Sequence, residues 1–206
     1  MREFILLALK ARTSPDFSFT ELPKAGKMDL VCRTVSNTLW ISHAIRKDTT
    51  LHIVMNGPRN PPKIISFYGE KLSKIETNDD EITIARIIKK ALKKGIKLNL
   101  NEKKEVMPGV EIAKKAFETL IKEKIGSTQL VYLHPKGEDI RKAKFKEKVT
   151  FIFGDFIGLP KKTEKLLKRL EIKKISIGPK VLFASHCPII VHNELDRRQN
   201  LKLSNI

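Results

Sequence analysis

The chain has 206 residues, room for one large α/β domain, and with aromatics at only 6% its core has to be built from Ile, Leu and Val. Its formal charge of +18, from 41 Lys and Arg against 23 Asp and Glu, points to a polyanionic partner, nucleic acid first. Lys-rich surfaces also mark hot-adapted proteins, but those raise Glu along with Lys, and here the acids lag. No apolar run approaches the roughly 18 residues that cross a bilayer, and the two cysteines make no disulfide framework. A cytoplasmic protein without membrane attachment is expected.

In chain order, REFILLAL (2–9) is a continuous apolar run, too short for a signal-peptide core with its cleavage site, and it predicts a buried first strand. KMDLVCRTVSNTLWISHAIR (27–46) places Leu30, Val31, Val35, Leu39, Trp40 and Ile45 at helical spacing, with Arg33, Asn37 and Arg46 as polar members of related turns. LHIVM (51–55) reads as a strand closed by the Asn56-Gly57-Pro58 turn, and KIISFYG (63–69) as a second strand or hairpin arm. EITIARIIKKALKKG predicts a helix capped by Asp79 or Asp80 and stopped by Gly95. Residues 97–107 read as a linker. Pro108-Gly109 is expected to open a further helix through Lys124, with Ile112, Ala116, Phe117, Leu120 and Ile121 on one face.

QLVYLH (129–134) and VTFIFGD (149–155) then read as buried strands and KKISIG (173–178) as a third strand, with the basic helix PKKTEKLLKRL (160–170) before the last. The loops HPKGED, GDFIGLP and GPKV punctuate them. In SIGPKVLFASHCPIIVHNELD, Pro188 suits the first turn of a final helix over 186–199, with Ser185 or His186 as its cap. Strands alternating with helices predict an α/β fold, a mostly parallel sheet flanked by helices on both faces.

The phosphate cradles GxxxxGK[ST] and GxGxxG are absent, and five histidines show no paired metal spacing, so no metal is expected. Cys187 beside His186 invites a thiol nucleophile, but adjacent helical residues point apart and no third orienting group is evident. What remains is a set of glycine-bearing loops at the carboxyl ends of parallel strands: Leu133 onward, Gly154 to Gly158, and Ile177-Gly178-Pro179-Lys180. Ligands collect in the crevice outside such strand ends, and glycines let a ligand approach bare backbone.

The apolar strand ending in Leu-His, then FIFGDFIGLP, then SIGPKVLFASHCPIIVHNELD, resembles the SPOUT superfamily of S-adenosylmethionine-dependent RNA methyltransferases. With RTSPDFSF, LPKAGKMDLVCRTVSNTLWISHAIRKDT and the NDDEIT helix start, nearly the whole chain is similar to the archaeal tRNA pseudouridine N1-methyltransferase (TrmY) family. The resemblance implies one SPOUT domain over 1–206, with a C-terminal deep trefoil knot over about 127–200 that binds S-adenosyl-L-methionine. Carried over by motif, Leu133, Gly154, the stretch Ile177, Gly178, Pro179, Lys180, Val181 and Leu182, and Cys187 line the cofactor pocket, with Cys187 as wall and not nucleophile. It also implies a homodimer through the knot region and a target at pseudouridine 54 in the T loop of tRNA.

N1 of pseudouridine carries a proton and is a poor nucleophile until it leaves, so acceptor-side groups are needed. The expected ones are Asn37 for base recognition, Arg33 or Arg46 for a phosphate or developing anionic charge, and Asp79 as proton acceptor. An ordinary helix cap for Asp79, and ion pairs to Asp48 or Asp29 for the arginines, are the structural alternatives. RNA binding is expected on Arg12, helix 86–94 and RKAKFKEK (141–148). Methylation of ribosomal RNA, and a non-catalytic RNA-binding SPOUT dimer, are the competing functions.

Overall fold

A computed structural model describes residues 1–72 and 80–203, with side chains as far as Gln199. The order is β1 (Arg2–Ala8), a 3-10 turn (Leu22–Ala25), α1 (Met28–Leu39), β2 (Trp40–Ile41), β3 (Ala44–Ile45), β4 (Thr49–Met55), β5 (Lys63–Tyr68) and α2 (Glu81–Lys94). There follow β6 (Lys103–Met107), β7 (Val110–Ala113), α3 (Phe117–Lys124), β8 (Gln129–Asp139), β9 (Val149–Gly154), α4 (Lys161–Arg169), β10 (Lys173–Ser176), a second 3-10 turn (Ala184–His186) and α5 (Cys187–Leu203).

One eight-stranded sheet runs β10-β8-β9-β1-β4-β5-β7-β6. Neighbours from β10 to β4 are parallel, and the arm β5-β7-β6 is antiparallel. Every residue of β1 is buried, as a central strand covered on both faces requires, and this is why its apolar run does not alternate. On one face Phe4, Leu6, Leu51 and Ile53 meet Val31 and Val35 of α1, Ile84 and Ile88 of α2 and Val191 of α5. On the other, Ile5, Leu7, Val54 and Ile152 meet Phe117, Leu120 and Ile121 of α3 and Leu167 of α4. Each such side chain, fully buried, stabilises the fold by about 1.5–3 kcal/mol.

The expected helix over 27–46 ends at Leu39. The backbone turns extended at Trp40, and Trp40–Ile45 is a hairpin whose turn puts His43 at φ 64°. Arg46 N–H closes it on the Leu39 carbonyl at 2.7 Å. The apolar spacing persisted past the true end because a short hairpin also brings Trp40 and Ile45 together. The helix expected from Pro108 is likewise shorter. Gly109, at φ 80°, turns the chain between β6 and β7, and α3 starts only at Phe117. Val110 and Ile112 alternate with the less buried Glu111 in β7, a period of two that was hidden inside an apparent helical pattern. The expected linker contains β6, an edge strand with exposed lysines.

Candidate active site

The carboxyl ends of β8, β9 and β10 lie side by side, and a cavity of about 640 Å³ opens there. Leu133, Gly154, Ile177, Gly178, Lys180, Val181, Leu182 and Cys187 all line it. Pro179 lies outside this lining and borders a second cavity. Leu30, from the first turn of α1, completes the wall.

The wall is built by backbone constraint. At Gly154 a side chain would place its Cβ 2.5 Å from the Gly158 carbonyl carbon, so the loop 154–158 folds back only over a bare backbone. Asp155 pins this loop to the end of β1: its carboxylate accepts from Leu9 N–H at 2.8 Å and from Ile157 N–H at 2.9 Å. Burial raises the Asp155 carboxyl above its usual range, against those hydrogen bonds. From β8 to β10 the register jumps, so that Lys174 faces Tyr132 but Ile175 faces Glu138, and residues 133–137 bulge out at the cavity. The HPKGED loop of the sequence is this bulge within β8.

Beyond β10, the backbone N–H groups of Ile177, Lys180, Val181 and Leu182 make no hydrogen bond among the described residues. They are free to read a ligand's polar edge. Cys187 starts α5 with its Sγ 3.5 Å from the Phe183 carbonyl. Burial pushes its thiol up to about 11, so at neutral pH it is an uncharged wall group and not a nucleophile.

An apolar cavity with bare backbone donors and no carboxylate cluster suits a nucleoside-sized ligand. Its volume falls in the usual range of about 300–1,000 Å³ for ligand pockets. Among the described residues no group of three His, Cys, Asp or Glu side chains is arranged for a metal, and no helix is long and apolar enough to cross a membrane.

The described residues expected on the acceptor side, Arg33, Asn37 and Arg46, lie outside this lining. Asn37 donates from Nδ2 to the Ser185 carbonyl at 2.9 Å, fastening α1 to the turn before α5. Arg33 bridges Asp29 (2.6 Å) and Glu81 (2.8 Å) on the surface. Arg46 pairs with Asp196 at 2.8 Å, not with Asp48. Its neighbour on that carboxylate is Arg2, the first residue of β1, whereas the cavity lies past that strand's last residue. Asp79 lies outside the described residues. Asp80 is the cap of α2, accepting from Ile82 N–H at 2.8 Å and Thr83 N–H at 2.9 Å.

Sequence reasoning missed Asp155, although the GD pair of GDFIG puts it next to Gly154. It also missed Tyr132 and His134 on the cavity wall. The Tyr132 hydroxyl donates to Glu164 of α4 at 2.8 Å, and the two rings pack edge to face. Nothing in spacing signals that contact, because Glu164 comes from another element.

A family model described as "Putative SAM-dependent RNA methyltransferase" matches residues 1–200. The tRNA (pseudouridine(54)-N(1))-methyltransferase of Methanocaldococcus jannaschii is 40% identical over 204 residues, 97% of this chain and 98% of the relative. That of Thermococcus kodakarensis is 41% identical over 198 residues, 95% and 99% of the two chains. The chain belongs to this methyltransferase family. The crystal structure of Archaeoglobus fulgidus Nep1 bound to S-adenosylhomocysteine superposes with a TM-score of 0.61 at 13% identity, covering 96% of this chain and 98% of that one. That likeness shows a shared fold: a mostly parallel sheet between helices. Within the family frame, the cavity at the three strand ends is the candidate donor site.

Proposed function

We propose that this chain transfers a methyl group from S-adenosyl-L-methionine to N1 of pseudouridine 54 in the T loop of tRNA, acting in the cytoplasm. The observation that carries the reading is the cavity at the ends of β8, β9 and β10, lined by the residues that the family motifs single out. The sulfonium cofactor supplies an activated methyl group. In this reading the unpaired N–H groups of Ile177, Lys180, Val181 and Leu182 hold its polar edges, and Leu133, Leu182 and Cys187 shield it from water. Asp155 fixes the Gly154–Gly158 loop through Leu9, which keeps the reacting centre in place and lowers the entropic part of the barrier.

Asn37 acts by positioning the 3-10 turn that leads into Cys187, and Arg46 by holding α5 through Asp196. Arg33 keeps an exposed guanidinium face for an RNA phosphate. Asp79 remains the proposed proton acceptor.

We also infer a trefoil knot over about 127–200. The register jump in β8, and Gly137 lying so close to Ile175 that a Cβ would stand 2.5 Å from its N, support a tight backbone crossing there. A homodimer fits the exposed apolar rim: Val181 is 83% and Phe183 71% accessible, with Phe156, Ile157 and Ile189 nearby.

Calorimetry with S-adenosylmethionine and mass spectrometry of tRNA from a deletion strain test the function. One donor bound per chain and loss of N1-methylpseudouridine from the T loop are expected. Unchanged methylation in the deletion strain would overturn the reading, and absence of donor binding would favour a non-catalytic RNA-binding dimer.

A further inference from the structure

If the chain is the methyltransferase proposed, it needs a second ligand site that opens onto the first, since the acceptor nitrogen must approach the donor methyl in line. Of the described groups expected on the acceptor side, Arg46 is committed to Asp196 and the Asn37 amide to Ser185, and none of Arg33, Asn37 and Arg46 lines the donor cavity.

A second cavity of about 740 Å³ lies against the donor cavity. Pro135, Ser176, Ile177 and Gly178 line both, so this thin stretch of backbone is the partition between them. At Gly178 the partition carries no side chain. Its φ of 153° lies where L-residues are strained, and a Cβ built there would meet nothing within 4 Å. At that point only main chain stands between the two spaces.

The two cavities differ in chemistry. The donor side is walled by Leu133, Phe153, Leu159, Val181 and Leu182. The second is lined by Asp139, Arg141, Asn193, Glu194 and Arg197, donors and acceptors together. A uracil joined to its sugar through carbon presents two ring N–H donors and two carbonyl acceptors. Asn193 Oδ1 accepts from Arg197 Nε at 3.1 Å, which leaves the Asn193 amide N–H groups to donate outward. One Glu194 oxygen takes Arg198 Nε at 2.7 Å, and the other has no partner among the described residues. The remaining guanidinium nitrogens of Arg197 have none there either. Asp139 is bound on both oxygens by Arg141, which holds its carboxyl at about 2 and leaves it a poor base. Past Arg141, the exposed Lys142, Lys144, Lys146 and Lys148 extend the positive surface for a ribose-phosphate chain.

We propose that this second cavity is the acceptor site. It takes the target pyrimidine nucleotide of the RNA. The Asn193 amide meets a base carbonyl, the free Glu194 oxygen meets a ring N–H, and Arg197 meets the neighbouring phosphate.

The test is steady-state methylation of a T-arm stem-loop carrying pseudouridine at the target, with Asn193→Ala, Glu194→Gln, Arg197→Ala and Arg197→Lys in the full chain. Calorimetric titration with S-adenosylmethionine and light scattering accompany it. Asn193 and Arg197 are exposed, so their replacement leaves the fold intact. Arg197→Ala is expected to raise KM for the RNA about tenfold, with partial recovery in Arg197→Lys, at unchanged donor affinity and particle mass. Asn193→Ala and Glu194→Gln are expected to reduce the preference for pseudouridine over a uridine stem-loop. An unchanged KM in all variants overturns the assignment. So does a fall in donor affinity that matches the loss, or a change in particle mass, which would make this face a subunit contact. A wild-type protein that methylates while the variants behave normally sinks this assignment alone. A wild-type protein that binds no donor sinks the function reading with it.

Discussion

The two ends of the same parallel strands are built in opposite ways. At the amino-terminal end, buried polar groups are paired inside the protein. Glu3 accepts from Lys124 and from Thr150 and bonds His52 at 2.8 Å, and His52 in turn bonds Ser66. Arg2 reaches Asp48 at 3.2 Å, Asp196 at 2.6 Å, His192 and Gln199. At the carboxyl end, backbone donors stand unpaired and Gly154 occupies a place that admits no side chain. Satisfied polar groups hold the sheet and α5 together, while the unsatisfied ones are open to solvent or to a ligand. Binding and stability should therefore separate cleanly on mutation.

The largest effect is expected at the paired end. Glu3→Ala leaves His52 and Lys124 without their acceptor and should cost about 3 kcal/mol in urea unfolding, with donor affinity unchanged in the folded protein. Burial opposes the charge on Glu3, but the hydrogen bond and charge of His52, with Lys124, win and hold its carboxyl at about 2. Its contribution is thus present above the ordinary value near 4.5 and fades as pH falls towards 2.

Next comes a pH effect. Burial, with Arg46 and Arg2 nearby, drives His192 down from 6.5 to about 3, so it stays neutral while donating to the Thr38 carbonyl and accepting from Arg2. An unfolded chain takes up this proton below 6.5 and the folded one refuses it, so stability falls as pH drops from 6.5 towards 3. A loss of about 3 kcal/mol between pH 6.5 and about 4 is expected in thermal or urea melts. Replacing His192 with Gln should flatten that segment of the curve.

At the open end, Gly154→Ala drives a methyl into the Gly158 backbone. It should weaken S-adenosylmethionine binding about 100-fold in calorimetry while the unfolding midpoint moves little. The smallest effect is at Cys187→Ser, which keeps shape but puts a hydroxyl on an apolar wall: roughly fivefold weaker donor binding, with turnover retained at saturating donor. Complete loss of turnover there would revive a thiol nucleophile.

The parallel half of the fold was largely legible. β1, β9 and the first half of β8 declare themselves as apolar runs, and glycine loops mark the exits of β9 and β10. Of the antiparallel arm only β5 was legible, because β6 is an edge strand with lysines and β7 is four residues whose alternation fits a helix equally well. The wall of the candidate donor cavity was readable from Leu133 to Cys187, in that these residues line one cavity where motif and backbone constraint coincide. The arginines misled for a physical reason. Arg33 and Arg46 read as polar members of one helix, but α1 ends at Leu39 and Arg46 follows the hairpin, and their partners Glu81 and Asp196 lie far along the chain, where no spacing rule reaches them. Pro179 shows the limit of a contiguous motif: it faces the other cavity.

A crystal of this protein grown with S-adenosylhomocysteine tests the central claim most directly. The account predicts the nucleoside between the Leu133, Gly154 and Ile177–Leu182 segments, with its polar edges on the free N–H groups beyond β10. Density at the amino-terminal end of the strands, or a cavity that stays empty at saturating ligand, would contradict it.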